Sequence, residues 1–509
     1  MRRTIVSFAR LGIQDIILSI SKASQKPNNR QRRSNRYSAS EINDNRALDK
    51  PMKHTLTFCS GVSTVTGANF LLKTSSGHNI LVDCGMIQGL RIAAEDNRQP
   101  FGYDVSNIDA LLVTHAHLDH VGRIPKLVSQ GYKGPIYSTL QTRTLAELVL
   151  NDAVRILGME ARSQGLEPLY QESDVQAVFP LWETVPYHQS FKVLEGVEIF
   201  LKDAGHILGS SMIEVRLLEG SKETIVLFTG DLGNSPAPLL RDTETVGSVD
   251  YMIMESVYGD RNHEARAERD NKLKKIILES IAKRGTLVIP SFSIDRTQVL
   301  LYELNNMVEK NQIPSIPIFL DSPMAAQATE IYKNNKELFN DRVQKQIDNG
   351  DDIFSFPRLK ITVSGDQSRD IENTSGVKII IAGSGMSVGG RVISHEERYL
   401  PDSNSTILLM GYQTVGSLGR ELAEGSKKIR IQSKNIHVKA KIETLYGYSA
   451  HKDGDRLLEF VSTADIKRLK RVFPVMGEPK AAMHIAQRIN DDLGIEALMP
   501  EQNRAYELD

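Results

Sequence analysis

Four side chains able to hold a metal ion crowd into the six residues 115–120: His115, His117, Asp119 and His120. They follow an apolar run, residues 110–113, that reads as a buried strand. Residues two apart on an extended segment point the same way, so His115 and His117 can grip one ion. Asp119 and His120 fall where a helix over residues 121–127 begins, and they can turn toward a second ion. Imidazole and carboxylate suit zinc, which keeps an open position where it is catalytic. A polar surface loop is the bland explanation, but ligand sites in α/β folds gather at the mouths of apolar strands, and these four stand at one.

The same arrangement, an apolar run ending in a reactive group, recurs along the chain. Residues 80–82 end in Asp83, residues 224–229 lead to Gly230-Asp231, and residues 251–254 end in Glu255. His206 lies between Gly205 and Gly209, and glycines suit close approach of backbone to a ligand. Taken singly, each would be an ordinary turn, cap or structural residue. Two stretches between a strand and a helix suit phosphate, because amides at a helix start bind anions. One carries Ser384, Gly385 and Met386, with His395 later in its helix. The other carries Arg296, with Asp295 before it.

These groups need a scaffold. Residues 54–83 read as an antiparallel meander. A strand over 134–138, a helix over 142–160 and a strand over 197–201 follow. From about residue 261, strands alternate with long helices, which means a parallel sheet. That stretch reads as an inserted α/β domain, residues 256–430. Residues 52–255 form the first part of the surrounding domain, and residues 431–509 complete it.

His-x-His-x-Asp-His at 115–120 resembles the signature of the metallo-β-lactamase fold, and Asp83, His206 and Asp231 match its other motifs. Glu255 in Glu-Ser-Val-Tyr-Gly, His395 and His451 in Ser-Ala-His narrow the resemblance to the β-CASP group, the nucleic-acid-processing nucleases of that superfamily. Val257 stands where that group commonly has Thr, and Asp295 where it commonly has Gly. The resemblance covers residues 52–509 and implies an αββα sandwich with an inserted β-CASP domain capping the site.

It also implies roles. His115, His117 and His206 would take one zinc; Asp119, His120 and His451 a second; Asp231 would bridge them. Asp83 would orient a metal-bridging hydroxide. His395 would contact the scissile phosphate and protonate the leaving oxygen, with its tautomer fixed by Glu255. Ser384, Gly385, Met386 and Arg296 are the candidate phosphate contacts. The implied activity is a two-zinc ribonuclease cleaving single-stranded RNA, with histidine rather than valine at position 451 pointing to the RNA-processing members; the resemblance also makes a homodimer plausible. A DNA nuclease of the same superfamily and a thioester or lactone hydrolase are the alternatives.

The bulk properties fit. The formal net charge is −1, but residues 1–50 carry a balance of +7, which leaves −8 for the rest. A body with no basic surplus must hold a polyanion through a local groove or through metal ions. Residues 1–51 read as a basic extension, disordered over 21–40; a transit peptide is the sharper alternative. Residues 5–20 are too short and too polar to span a bilayer. Two cysteines, Cys59 and Cys84, suggest no disulfide framework. A reducing cytoplasm follows, with no membrane partner.

Overall fold

The computed structural model describes residues 53–89, 95–414 and 416–509. The extension over residues 1–51 and the expectations attached to it lie outside the described residues.

Alternation of apolar and polar residues builds two facing sheets. His54–Ser60 and Val197–Asp203 each bury every second side chain, as a strand covered on one face must. The first sheet has seven strands in the order Ala505–Leu508, His54–Ser60, Asn69–Lys73, Asn79–Val82, Ala110–Leu112, Ile136–Ser138, Trp182–Thr184. The second has six: Arg471–Val475, Tyr251–Glu255, Lys222–Phe228, Ser211–Glu219, Val197–Asp203, Ser190–Leu194. Leu56, Phe58, Phe70 and Val82 of one sheet share a core with Val215, Phe228, Ile253 and Phe473 of the other. Helices cover the outer faces. Leu145 and Val149 join the core beside Leu81 and Leu111, and Leu457 and Ile485 join the one beside Met252 and Met254. This is the expected αββα sandwich.

Three local differences from the sequence reading have physical reasons. The helix expected over 121–127 is two short ones, Leu118–Val121 and Ile124–Ser129; Pro125 lacks an N–H and sits at the start of the second, where none is needed. The long helix runs further than 142–160, over Leu140–Gln164. Thr139 caps its start by accepting from the Thr142 N–H, and Gly165 ends it at φ 67°. The C-terminal strand Ala505–Leu508 pairs antiparallel with His54–Ser60 and closes the first sheet.

The inserted sheet is parallel throughout, in the order Leu359–Ile361, Ile318–Asp321, Lys378–Ala382, Thr286–Pro290, Thr406–Met410, Lys441–Leu445. Its last strand lies beyond residue 430, the boundary read from sequence, so the chain leaves this sheet only at Leu445. Among the described residues no helix is long and apolar enough to cross a membrane. Cys59 and Cys84 are both free thiols.

Candidate metal centre

The two sheets deliver their reactive groups to one end. Asn79–Val82 and Ala110–Leu112 pair in parallel, as do Lys222–Phe228 and Tyr251–Glu255. Asp83, His115, Asp231 and Glu255 therefore all emerge at C-terminal strand ends. The backbone packs tightly there: a Cβ built on Gly85 would lie 1.5 Å from the Asp119 carbonyl oxygen, so only glycine lets the first strand end meet the short helix that carries His120.

Four donor atoms converge. His117 Nδ1 lies 3.2 Å from His115 Nε2 and 3.2 Å from His206 Nε2. Asp231 Oδ2 is 3.4 Å from His115 Nε2 and 3.5 Å from His206 Nε2. The outward nitrogens explain why the inward ones carry lone pairs. His206 Nδ1–H donates to the Ala450 carbonyl at 3.4 Å. Thr114 Oγ1 donates to Asp83 at 2.8 Å, so it accepts from His115 Nδ1 at 3.1 Å. Burial, with neighbouring imidazoles adding to it, holds His117 and His206 well below the ordinary imidazole pKa and keeps them neutral. A single His117 Nδ1–H can point at only one of the two Nε2 atoms 3.2 Å away, so close lone pairs remain unless a cation sits among them, and this is a donor set that suits a divalent metal.

A second group shares Asp231. His120 Nε2 lies 3.3 Å from Asp231 Oδ1, and both atoms are buried without a hydrogen-bond partner. Buried polar atoms left unpaired are costly, and a cation between them would satisfy both. His451 Nδ1 is 3.9 Å from Asp231 Oδ2 and 3.1 Å from Glu255 Oε2. Asp231, Glu255 and His451 are close enough to hold an ion together. Burial opposes a charge on His120, yet Asp231 and Asp83 hold its imidazole well above the ordinary value.

Asp83 works through other groups. Its carboxylate accepts from the Thr114 N–H at 2.8 Å and from His120 Nδ1 at 2.7 Å. It thereby keeps a proton on His120 Nδ1, so that the nitrogen facing Asp231 is the one a cation would claim, as with a carboxylate behind a metal-binding histidine. Asp119 makes no side-chain hydrogen bond or ion pair among the described residues; burial pushes its carboxyl pKa up.

The expected pairing of Glu255 with His395 is not found. Glu255 accepts from the Leu232 N–H at 2.6 Å and from His451, because the parallel partner strands put it beside the sandwich's own histidines. His395 sits in the insert, its Nε2 2.7 Å from Asp321 Oδ2, and no hydrogen bond or ion pair among the described residues joins it to the metal-type cluster. Asp321 also accepts from Thr362 and Ser368 hydroxyls at 2.6 Å and from Arg391 Nη1 at 2.7 Å. Burial opposes its ionisation, but these donors hold its pKa down at about 2. The sequence reading missed Asp321, although Ile318-Phe-Leu-Asp321 carries the signal that marked Asp83 and Glu255: an apolar strand ending in a carboxylate.

A cavity of about 190 Å³ opens beside His206, walled by the sandwich at Asn234 and Ser235 and by the insert at Arg269 and Arg296. Arg296 stacks on Phe292 at 4.5 Å and donates to the Met410 carbonyl at 2.6 Å, while its Nε is buried without a partner. Burial lowers its pKa to about 10, which leaves it charged at neutral pH. Ser384, Gly385 and Met386 do not line this cavity. Gly385 instead backs onto Phe292, where an added Cβ would lie 2.5 Å from the ring.

Asp295 has φ 64°, a conformation that glycine adopts without cost and other residues do not; this is why glycine is common there in the group it resembles. Burial pushes the Asp295 carboxyl pKa up to about 7, above an unfolded value of about 3.9. The folded state thus holds the extra proton between about pH 4 and 7, and stability falls as pH rises through that window. Asp295→Asn is expected to stabilise the protein by roughly 2–4 kcal/mol at pH 8, with the gain shrinking as pH falls toward 4. Urea denaturation across pH 5 to 8 measures it; a gain independent of pH would refute the cause given.

Three family models match the chain. Residues 71–230 match the metallo-beta-lactamase superfamily domain, residues 297–422 the Beta-Casp domain, and residues 435–500 the Zn-dependent metallo-hydrolase RNA specificity domain. Ribonuclease TTHA0252 of Thermus thermophilus is 34% identical over 397 residues, 78% of this chain and 88% of that protein. Transcription termination factor FttA of Methanosarcina mazei is 30% identical over 455 residues, 87% of this chain and 69% of that protein. The FttA of Thermococcus kodakarensis is 30% identical over 415 residues, 80% of this chain and 63% of that protein. A crystal structure of a protein of unknown function from Enterococcus faecalis superposes with a TM-score of 0.52 at 14% identity, covering 90% of this chain and 100% of that one, a likeness of fold.

Proposed function

The chain belongs to the β-CASP group of the metallo-β-lactamase superfamily, and on that premise we propose that it is a two-zinc ribonuclease cleaving single-stranded RNA. One observation carries the reading: five histidines and Asp231 turn their inward atoms on one another beside a cavity walled by arginine. The named relatives, a ribonuclease and termination factors, support RNA as the polymer. Bound zinc would supply Lewis-acid charge and activate water at neutral pH.

The protein's own residues do the rest. His115, His117 and His206 would hold one ion and His120 and His451 the other, with Asp119 nearby and Asp231 common to both groups. Asp83 and Glu255 orient His120 and His451 by accepting hydrogen bonds from their Nδ1–H groups. Arg296 offers a charged, partly unpaired guanidinium to a phosphate in the cavity. His395, held by Asp321, acts on the substrate side. The reading includes a homodimer and, from the free cysteines, a cytoplasmic location.

A cleavage assay on internally labelled single-stranded RNA and matched DNA tests it, using protein of verified zinc content and a His395→Ala control. RNA cut in preference to DNA, with the variant silent at unchanged zinc, is the expected result. No cleavage by fully loaded wild type, or preference for DNA, would overturn it.

A further inference from the structure

We propose that a basic β-hairpin of the inserted domain is a docking surface for single-stranded RNA, separate from the metal centre. Lys428–Ile431 and Lys434–His437 form a two-stranded antiparallel sheet of their own. Between Glu424 and Glu443 the sequence has six Lys/Arg residues and no acid. Strand alternation sorts them. Ile429, Ile431 and Ile436 are buried in the insert's core, so Lys428 and Arg430 project from the other face, opposite His437 and Asn435 in register. Lys427 and Lys439 flank the pair, joined by the Val438 N–H to Lys427 carbonyl bond at 2.9 Å. Lys427, Lys428, Arg430, His437 and Lys439 are all exposed.

The charge is largely unspent. Among the described residues Lys427, Lys428, Arg430 and Lys439 make no ion pair, whereas Lys434 pairs with Glu397. The neighbouring helix Leu418–Ala423 and its cap bring Glu421 and Glu424, and Glu424 is tied to Arg420 at 2.6 Å. Like cations held side by side without counter-charge repel one another, and a polyanion relieves this by releasing its own counterions. The body of the protein carries a balance of −8, so this hairpin stands out as a place where a phosphate backbone is attracted. It is outward-facing and polar, which fits backbone contacts that position a strand without reading its bases. The partner class rests on the ribonuclease reading; the surface itself does not.

The test is a variant carrying Lys427→Gln, Lys428→Gln, Arg430→Gln and Lys439→Gln, which leaves the three buried isoleucines in place. Binding of a fluorescent single-stranded RNA is measured by anisotropy across a salt series, with RNA integrity checked on a gel and zinc content and Tm compared. Affinity is expected to fall at least tenfold, and the slope of log K against log salt to lessen by about 0.7 for each side chain that touched a phosphate. Cleavage of a short RNA should keep its kcat. Wild type that binds RNA together with a variant that binds it equally well, with the same salt slope, overturns the hairpin and leaves the ribonuclease reading intact. Weakened binding by the variant, with no cleavage by loaded wild type, overturns the ribonuclease reading and leaves the hairpin. Unchanged RNA binding with loss of a polyglutamate probe would assign the surface to an acidic protein and overturn the proposal.

Discussion

On the proposed two-zinc reading, Asp231→Ala is expected to cut zinc content to less than half that of wild type and to lower kcat by about 10³-fold or more. Among the described residues Asp231 is the one side chain that belongs to both groups of donors: Oδ2 lies within 3.5 Å of His115 and His206, and Oδ1 3.3 Å from His120. Burial works against the Asp231 charge, but His120 and His115 hold its carboxyl well below the ordinary range, so it is an anion ready for cations. Without it, His115, His117 and His206 would face one another with no carboxylate in their group. Several kcal/mol of Lewis-acid stabilisation is lost with the metal, and each 1.4 kcal/mol is tenfold in rate. Metal analysis by mass spectrometry and single-turnover kinetics measure both; zinc content still near that of wild type, or activity within tenfold of wild type, would refute the bridging role.

The second large effect concerns stability and leaves the metals in place. Asp321→Asn is expected to destabilise the protein by about 2–3 kcal/mol, because the donors that hold its pKa down lose their charged acceptor. Asp321 is fully buried and takes four donors, Arg391 and His395 among them. Its folded pKa of about 2 lies below the unfolded value of about 3.9. Its contribution is therefore fully present above pH 4 and is lost as pH falls toward 2. Urea denaturation at neutral pH reads the loss, and a metal content equal to that of wild type shows that the sandwich is intact. A change under 1 kcal/mol would mean that Arg391 and His395 find other partners.

These two carboxylates mark what a sequence makes legible. Asp231 could be read because it belongs to a set whose other members are local: His115, His117 and His120 share one strand end, and their spacing carries the chemistry. Short alternating strands gave the antiparallel meander, the resemblance carried by the metal-type motifs implied the αββα sandwich, and strand–helix alternation marked the insert. Asp321 showed the same apolar-run signal but lay far along the chain from any histidine motif, and what pairs with His395 is decided by which parallel strands lie side by side. The exchange of Glu255's partner has the same origin: Tyr251–Glu255 pairs in parallel with Arg471–Val475, Glu255 opposite Val475, and that register sets it beside His451. Ala505–Leu508 was invisible because the four residues Ala-Tyr-Glu-Leu are too short a run to announce a strand without the edge they join.

The hydrogen bond between Glu255 and His451 spans 196 residues of sequence. Were that span a flexible loop, bringing its ends together would cost about 5 kcal/mol of chain entropy. It is instead a folded domain whose two connections run side by side: Tyr258 bridges Asp453, the Gly454 N–H donates to the Arg261 carbonyl at 3.0 Å, and the His263 N–H donates to Asp453 at 3.1 Å. Once the insert has folded, its ends already lie together and most of that entropy has been lost. The donors grouped around His115, His117 and His206 all lie within residues 115–231 and precede the insert, whereas His451 follows it. The two groups of donors are therefore brought together by different routes, one by the closing of the sandwich's own loops and the other by the folding of the domain inserted between its parts.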